Sequence, residues 1–279
     1  VIDPRLIDEL IVPFLREDIG FVDLTSTIMI DANTIAAFDV NAREDIVVAG
    51  IDVAIAVFRR CEPDCEIDAR AKDGDHVKSG AILIRVSGKA RAILTAERTA
   101  LNILQHLSGV ATLTAQYVKE IEGTGAQLVD TRKTTPGLRA LEKHAVRCGG
   151  GRNHRLSLDS GVLIKDNHIA VAGSLTAAIA RAKAEVPTLT KVQVECDTLD
   201  QVREALEAGA DSLLLDNMEP DMMREAVAIG SGRMLLEASG GITLETIRAK
   251  AESGVDLIST GKITQSAPAV DIGLDEVSG

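Results

Sequence analysis

From Gln127 onward the chain repeats one rhythm: a short apolar run, a polar residue at its C-terminal end, then a helix-length segment. The runs are Gln127 to Asp130, Val162 to Lys165, Lys191 to Glu195, Ser212 to Asp216, Arg233 to Glu237 and Asp256 to Ser259. Apolar runs of this length between helical stretches read as parallel strands in βα units. Two connections repeat their form, EAGADSLLLDN ending at Asn217 and ESGVDLISTG ending at Gly261. Helix signals fall between the runs: Thr198 and Gln201 make a capping box, Pro220 suits a first helical turn, and Gly209 and Gly254 stand at helix ends. Asp130, Lys165, Glu195, Asp216, Glu237 and Ser259 all close their runs. In a closed α/β barrel such ends meet at one rim, where the active sites of these barrels lie.

Composition agrees with that architecture. The 279 residues include no Trp, one Tyr (Tyr117) and four Phe, so the core must be aliphatic, which favours α/β layers. A net charge of −12 argues against a nucleic-acid partner, which requires a broad basic face. No run of about 18 apolar residues is present to span a membrane. The opening residues lack the basic-then-apolar order of a secretory signal. Cys61, Cys65, Cys148 and Cys196 do not have the spacing of a disulfide framework, so reduced thiols and a cytoplasmic setting are expected. Cys61 and Cys65 hint at zinc, but no second pair follows at ligand spacing; Cys148 reads as a packing residue.

The first half has a different texture. Pro4 to Glu17 carries an apolar stripe (Leu6, Ile7, Leu10, Ile11), predicting a short helix interrupted at Pro13. Thr34 to Gly50 is rich in β-branched residues and reads as strands, and Gly74 and Gly80 bracket a turn. The glycine pattern around that turn also occurs in biotinyl and lipoyl carriers, with Lys89 as the modified residue. The strands lead directly into a helix, which argues against a carrier. That helix is expected from near Thr95 to a C-cap at Gly109, followed by a second helix with Val110, Leu113, Tyr117 and Ile121 on one face. The predicted organisation is residues 1–109 plus the tail 266–279 as one domain, and 110–265 as the other.

The chemistry concentrates in DTRKTTPGLRALEKHAVRCGGGRNHRLSLDSGVLIKDNH, residues 130–168. Arg132, Lys133, Arg139, Lys143, Arg147, Arg152 and Arg155 stand there against one interspersed acid, Glu142, in an otherwise acidic protein. Arginine grips a carboxylate or phosphate bidentately, whereas lysine acts as a movable point charge, so Arg132-Lys133 suits a compact, multiply charged anion. His154 reads either as a ligand-binding donor or as a hydrogen-bonder between loops. Glu195 and Asp216 are hard oxygen donors suited to Mg²⁺, which keeps waters and bridges to phosphates; alternatively they pair with Lys165. Ser239, Gly240 and Gly241, just before a helix start near Thr243, offer backbone N–H groups to a phosphate, and Ser259 to Gly261 offers a second such loop.

DTRKTTPGLR, CGGGRNHR and LIKDNH, in this order and spacing, resemble the quinolinate phosphoribosyltransferases. The resemblance runs from about Asp18 through ERTALN (Glu97 to Asn102) to SAPAVDIGLD near the C-terminus. It implies an N-terminal α+β sandwich and a C-terminal incomplete α/β barrel. The implied reaction joins quinolinate to 5-phosphoribosyl 1-pyrophosphate, giving nicotinate mononucleotide, pyrophosphate and carbon dioxide. By resemblance, Arg132, His154, Arg155 and the neighbouring subunit's counterpart of Arg98 bind the quinolinate carboxylates in a homodimer or hexamer. Lys133 and Lys165 face both acceptor and diphosphate, Glu195 and Asp216 hold the metal and ribose hydroxyls, and Ser239, Gly240, Gly241, Ser259 and Gly261 form the phosphate loops. One departure stands out: Thr264-Gln265-Ser266 occupies a place where many members have Thr-His-Ser, and Gln cannot carry a proton. A nicotinate-specific transferase and a non-catalytic anion-binding homologue are the alternatives.

Overall fold

The computed structural model describes residues 2–277. In chain order its elements are α1 (Pro4–Ile19), α2 (Leu24–Met29), β1 (Ile35–Ala42), β2 (Ile46–Val47), α3 (Ile51–Cys61), β3 (Glu66–Ala69), β4 (His76–Val77), β5 (Ile82–Lys89), α4 (Ala90–Glu120), β6 (Gln127–Val129), α5 (Arg139–Cys148) and β7 (Val162–Ile164). Then follow α6 (Asp166–Ala172), α7 (Leu175–Glu185), β8 (Val192–Cys196), α8 (Leu199–Glu207), β9 (Ser212–Asp216), α9 (Pro220–Gly230), β10 (Leu235–Ser239), α10 (Leu244–Ala251), β11 (Leu257–Ser259), α11 (Lys262–Gln265) and β12 (Ile272–Glu276). Two compact units result. The first comprises the chain up to Ala115, Thr135–Gly150 and the chain from Ser266; the second comprises Gln116–Thr134 and Gly151–Gln265.

The first unit is built on an antiparallel sheet in the order β12-β1-β5-β3, with β2 and β4 paired separately. Its core is mainly aliphatic, with Val57, Leu83, Ile84, Ile93 and Leu104 fully buried together with the aromatic Phe58. α1 is not interrupted: it runs straight through Pro13. The buried stripe is Ile7, Ile11 and Leu15, while Pro13 and Glu9, whose carbonyl loses its helical donor, are both exposed and so open to solvent.

The two helices expected around Gly109 are one, α4. Gly109 is therefore no cap. A Cβ there would lie 2.0 Å from the Pro268 carbonyl oxygen, so the glycine admits the returning C-terminal segment against the helix. Gln105 fixes the same approach, accepting from Val270 N at 3.1 Å and donating to Ile272 O at 2.8 Å. Gly109→Ala must push backbone against backbone. It is expected to lower unfolding free energy by about 2–3 kcal/mol in urea titration despite the better helix propensity of alanine.

The second unit holds six parallel strands in the order β6-β11-β10-β9-β8-β7. The first strand lies beside the last, and the others follow sequentially, which is the barrel-like topology anticipated from the βα rhythm. On its far side β6 makes a single parallel bridge from Val129 to Arg152, and no ladder joins β6 to β7 among the described residues. Strand alternation sets the two faces: Val192, Val194, Cys196, Leu213, Leu215 and Ala238 have no exposed surface, and the residues of opposite parity carry the polar groups. Thr198 and Gln201 form the expected capping box, Pro220 opens α9, and Thr243 caps α10.

β10 begins and ends two residues later than predicted, because Arg233 is still held in the preceding turn. Its N–H donates to Gly230 O and its guanidinium to Ile229 O and Gly230 O. Glu237 thus lies inside the strand, and Ser239 closes it. No described helix is long and apolar enough to cross a membrane.

Candidate active site

The strand ends of the second unit surround a cavity of about 580 Å³. Its lining includes Asp130, Lys165, Glu195, Asp216, Glu237 and Ser259, the six polar residues picked out by position along the chain, together with Arg132, Lys133, His154, Arg155, Ser239, Gly240 and Gly241. Of the seven cations in the basic stretch, Arg132, Lys133 and Arg155 line it. Arg139, Lys143 and Arg147 are carried on α5 in the first unit, and Arg152 bonds Gln127. The segment Thr135–Gly150 belongs to the first unit, and the residues on either side of it to the second.

At the cavity's base the polar groups are locked by burial. Asp130 has no exposed surface; its carboxylate accepts the His154 N–H at 2.8 Å and the Asn153 amide at 2.6 Å, shaping the loop that carries His154. His154 Nδ1 accepts the Arg155 N–H at 2.7 Å, leaving Nε2–H as donor to Glu237 Oε2 at 2.9 Å and Gln193 Oε1 at 3.1 Å. The Gln193 amide donates to Glu237 at 2.8 Å. Burial alone would push the Glu237 carboxyl up, yet hydrogen bonds from His154, Ser259 and Gln193 outweigh it and hold the group below the usual glutamate range. His154 thus borders the cavity and ties its loop to β8 and β10.

The rim holds further charged groups. Lys165 pairs with Glu195, and its backbone N–H donates to His168 Nδ1 at 2.9 Å, giving His168 the supporting role of a turn. Asp216 accepts from the Asn217 amide at 2.6 Å. Arg155 is half-buried and donates to Gly161 O at 3.1 Å; burial first, and the neighbouring Arg132 second, lower its proton affinity. Two guanidiniums close enough to repel suit a ligand that brings two negative charges. Gly261 lies against Lys133, where a Cβ would stand 2.8 Å from the lysine Cδ, and Thr264 donates to Lys133 O at 2.7 Å. Gln265 is exposed on α11. Arg98 is exposed on α4 in the first unit, with Glu97 as its ion-pair neighbour at 4.0 Å.

Two family models cover almost the whole chain. That for the quinolinate phosphoribosyl transferase N-terminal domain matches residues 23–108, and that for the C-terminal domain matches residues 110–275. The chain belongs to the quinolinate phosphoribosyltransferase family. It is 40% identical over 262 residues to a probable nicotinate-nucleotide pyrophosphorylase (carboxylating) of Bacillus subtilis, covering 94% of this chain and 90% of the relative. It is 42% identical over 267 residues to the nicotinate-nucleotide pyrophosphorylase (carboxylating) of Mycobacterium leprae, covering 94% of each. A crystal structure named NadC from Streptococcus pyogenes superposes with a TM-score of 0.95 at 39% identity, covering 100% of this chain and 99% of that one.

Against the family motifs, Gln193 and Lys250 were not singled out from sequence. Gln193 shares strand parity with Glu195, and that alternation was the available signal. Lys250, on α10, is 7% exposed, and its ammonium donates to Met218 O at 3.2 Å and Gly240 O at 3.1 Å. It joins the loop after β9 to the loop after β10. Burial lowers its proton affinity, partly offset by Glu219 and Asp216. The same junction holds Asn217 at φ 52 and Gly240 at φ 84, and a Cβ on Gly240 would fall 2.1 Å from Asn217 Oδ1. Lys250→Met is expected to cost about 1.5–3 kcal/mol and to speed amide exchange at Gly240 and Gly241. Unchanged exchange would mean that the loops hold themselves.

Proposed function

We propose that this chain is a quinolinate phosphoribosyltransferase that forms nicotinate mononucleotide, pyrophosphate and carbon dioxide from quinolinate and 5-phosphoribosyl 1-pyrophosphate. The observation that carries the reading is the cavity in which Arg132 and Arg155, Lys133 and Lys165, Glu195 and Asp216, and the Ser239 to Gly241 loop converge in a chain of this family. Arg132 and Arg155 take the two carboxylates of the acceptor, and His154, whose Nδ1 accepts the Arg155 backbone N–H and whose Nε2–H is held by Glu237 and Gln193, fixes Arg155 beside them. Lys133 and Lys165 neutralise the departing diphosphate, and the glycine loops receive the 5-phosphate through backbone N–H groups. Preorganised cations around the leaving group supply most of the rate enhancement, because charge develops there as the C1–O bond of the ribose breaks.

The ring nitrogen of the acceptor supplies the electron pair for the new C1–N bond. The resulting quaternary nitrogen stabilises the electron pair left on the adjacent carbon when carbon dioxide departs, and one proton from solvent replaces the carboxyl group. A decarboxylated acceptor appearing before ribosylation would sink this order.

Glu195 and Asp216 fit Mg²⁺ in donor type: hard carboxylate oxygens from adjacent parallel strands, beside loops suited to phosphate. When bound, the ion neutralises diphosphate charge. Arg98, exposed on α4, suits donation to the site of a neighbouring copy, so a homodimer or a hexamer of dimers is proposed. A cytoplasmic setting accords with the four free cysteines.

The direct test offers quinolinate and nicotinate in parallel with Mg²⁺ and 5-phosphoribosyl 1-pyrophosphate, following nicotinate mononucleotide and carbon dioxide. Product with carbon dioxide from quinolinate alone is expected. Product from nicotinate alone would replace the acceptor, and none from either, in folded protein, would leave an anion-binding role.

A further inference from the structure

The first unit contains a polar cluster that this reaction does not use. Asp73 lies in the turn before β4, and His144 and Cys148 are four residues apart on α5, the spacing that places two side chains on one helix face. His144 Nε2 is 2.6 Å from Asp73 Oδ2 and 3.4 Å from Cys148 Sγ, and the three ligand atoms lie within 4.8 Å of one another. The other Asp73 oxygen accepts the N–H groups of Gly50 at 2.9 Å and Ile51 at 3.0 Å, so the carboxylate is fixed from behind at the start of α3.

Cysteine, histidine and aspartate together raise the question of a nucleophilic triad, and the geometry answers it. A relay requires the thiol at one ring nitrogen and the carboxylate at the other. Here Nε2 meets both. Burial, reinforced by Asp73, also pushes the Cys148 thiol up to about 12, which leaves it protonated and inert as a nucleophile. One nitrogen flanked by an oxygen and a sulfur is instead three corners of a coordination shell.

We propose that Asp73 Oδ2, His144 Nε2 and Cys148 Sγ form a binding site for a divalent cation of the zinc type, with water as the fourth ligand. Tetrahedral bonds of about 2.3 Å to sulfur and about 2.0–2.1 Å to nitrogen and oxygen place S and N about 3.6 Å apart, and N and O about 3.3 Å apart. The first edge is nearly in place at 3.4 Å, and the second opens by roughly 0.7 Å when the Asp73–His144 hydrogen bond at 2.6 Å is replaced. One thiolate and one carboxylate cancel the charge of the ion. On binding, the Cys148 proton leaves to solvent and the imidazole proton moves from Nε2 to Nδ1. The His144 and Asp73 side chains keep 12% and 21% of their surface exposed, enough for a water to complete the shell.

The donor set is unlike the Glu195 and Asp216 pair, whose oxygens suit magnesium; sulfur and nitrogen select a softer ion. His144 Nδ1 is buried without a hydrogen-bond partner among the described residues, so the ring lacks the outer contact that strengthens zinc-bound imidazoles. The affinity is therefore below that of closed four-ligand centres with a complete outer shell. Occupied, the site ties α5 to the turn at Asp73 and to the start of α3.

The test uses the full chain, reduced and stripped of metal, titrated with Co²⁺ as a spectroscopic stand-in for zinc. One equivalent should give a thiolate-to-cobalt charge-transfer band with tetrahedral d–d bands, both displaced by Zn²⁺. Cys148→Ser should abolish the charge-transfer band, and His144→Phe should weaken binding at least about tenfold. A Cys61→Ser/Cys65→Ser variant should retain the full signal, which keeps the test decisive even where the Cys148 change impairs folding. No band, a six-coordinate spectrum, or a signal that follows Cys61 and Cys65 would overturn the site. Because metal binding is read directly, the result is independent of the reaction proposed above.

Discussion

Glu237→Ala is expected to destabilise the second unit by about 3–5 kcal/mol and to abolish turnover, because it strips a buried charged acceptor from three donors, His154, Gln193 and Ser259, at once. Glu237 is 1% exposed, and its Oε2 receives His154 at 2.9 Å and Gln193 at 2.8 Å. Without it the imidazole N–H and the side-chain amide lose a shared, nearly fully buried partner, and the loop carrying His154 and Arg155 loses its hold on β10. Glu237→Gln keeps shape and one acceptor, so a smaller loss of about 1–2 kcal/mol is expected. Acid titration separates the charge from the contact. The folded carboxyl sits below its unfolded value of about 4.3, so its contribution is complete above that pH and is lost as pH falls through the lower folded value. Glu142, held by His106 at 2.8 Å, is lowered for the same kind of reason and adds its own acid limb in the first unit. The informative quantity is therefore the difference between wild type and Glu237→Gln: unfolding free energy should converge for the two proteins as pH drops below about 4. Parallel pH curves with a constant gap would show that the Glu237 charge has no part in stability.

Much of this site was legible because parallel strands convert position along the chain into position in space. Residues that close successive apolar runs must emerge on one side of the sheet, so Lys165, Glu195, Asp216 and Ser259 could be assembled without knowing any contact. What stayed hidden depends on contacts between distant segments. Gln193 is a buried polar residue whose partner, Glu237, is 44 residues away. Gly109 gives the same local signal for a helix cap as for a close approach, and only the position of Pro268 decides between them. Within the basic stretch, charge alone does not say which cations share a wall: Arg132, Lys133 and Arg155 line the cavity, whereas Arg139, Lys143 and Arg147 are carried on α5. Pro13 was misjudged because the carbonyl deprived of its helical donor, that of Glu9, belongs to an exposed residue, where solvent is available to it, and the helix continues to Ile19.

Arg155→Ala should raise the KM for quinolinate by about 100-fold or more, while the KM for 5-phosphoribosyl 1-pyrophosphate changes by no more than a few fold. Loss of a bidentate charge-assisted contact in a half-buried position is worth about 3 kcal/mol, which corresponds to that factor. Stability should move in the opposite sense to Glu237. Arg155 is destabilised in the unliganded protein by burial and by Arg132, so removing it relieves repulsion while sacrificing the 3.1 Å bond to Gly161 O; the net change expected is below about 1 kcal/mol. Arg155→Lys restores the charge without the planar fork and should recover only part of the affinity. The pairing with Arg132 also sets selectivity. An acceptor with two carboxylates cancels both guanidiniums, whereas an acceptor with one leaves a buried cation beside another, so discrimination against nicotinate should shrink in Arg155→Ala. Equal rises in both KM values would assign Arg155 to the general electrostatics of the cavity. A rise confined to quinolinate, with the folded state undisturbed, would identify Arg155 as a direct contact of the acceptor, set beside Arg132 to meet its second carboxylate.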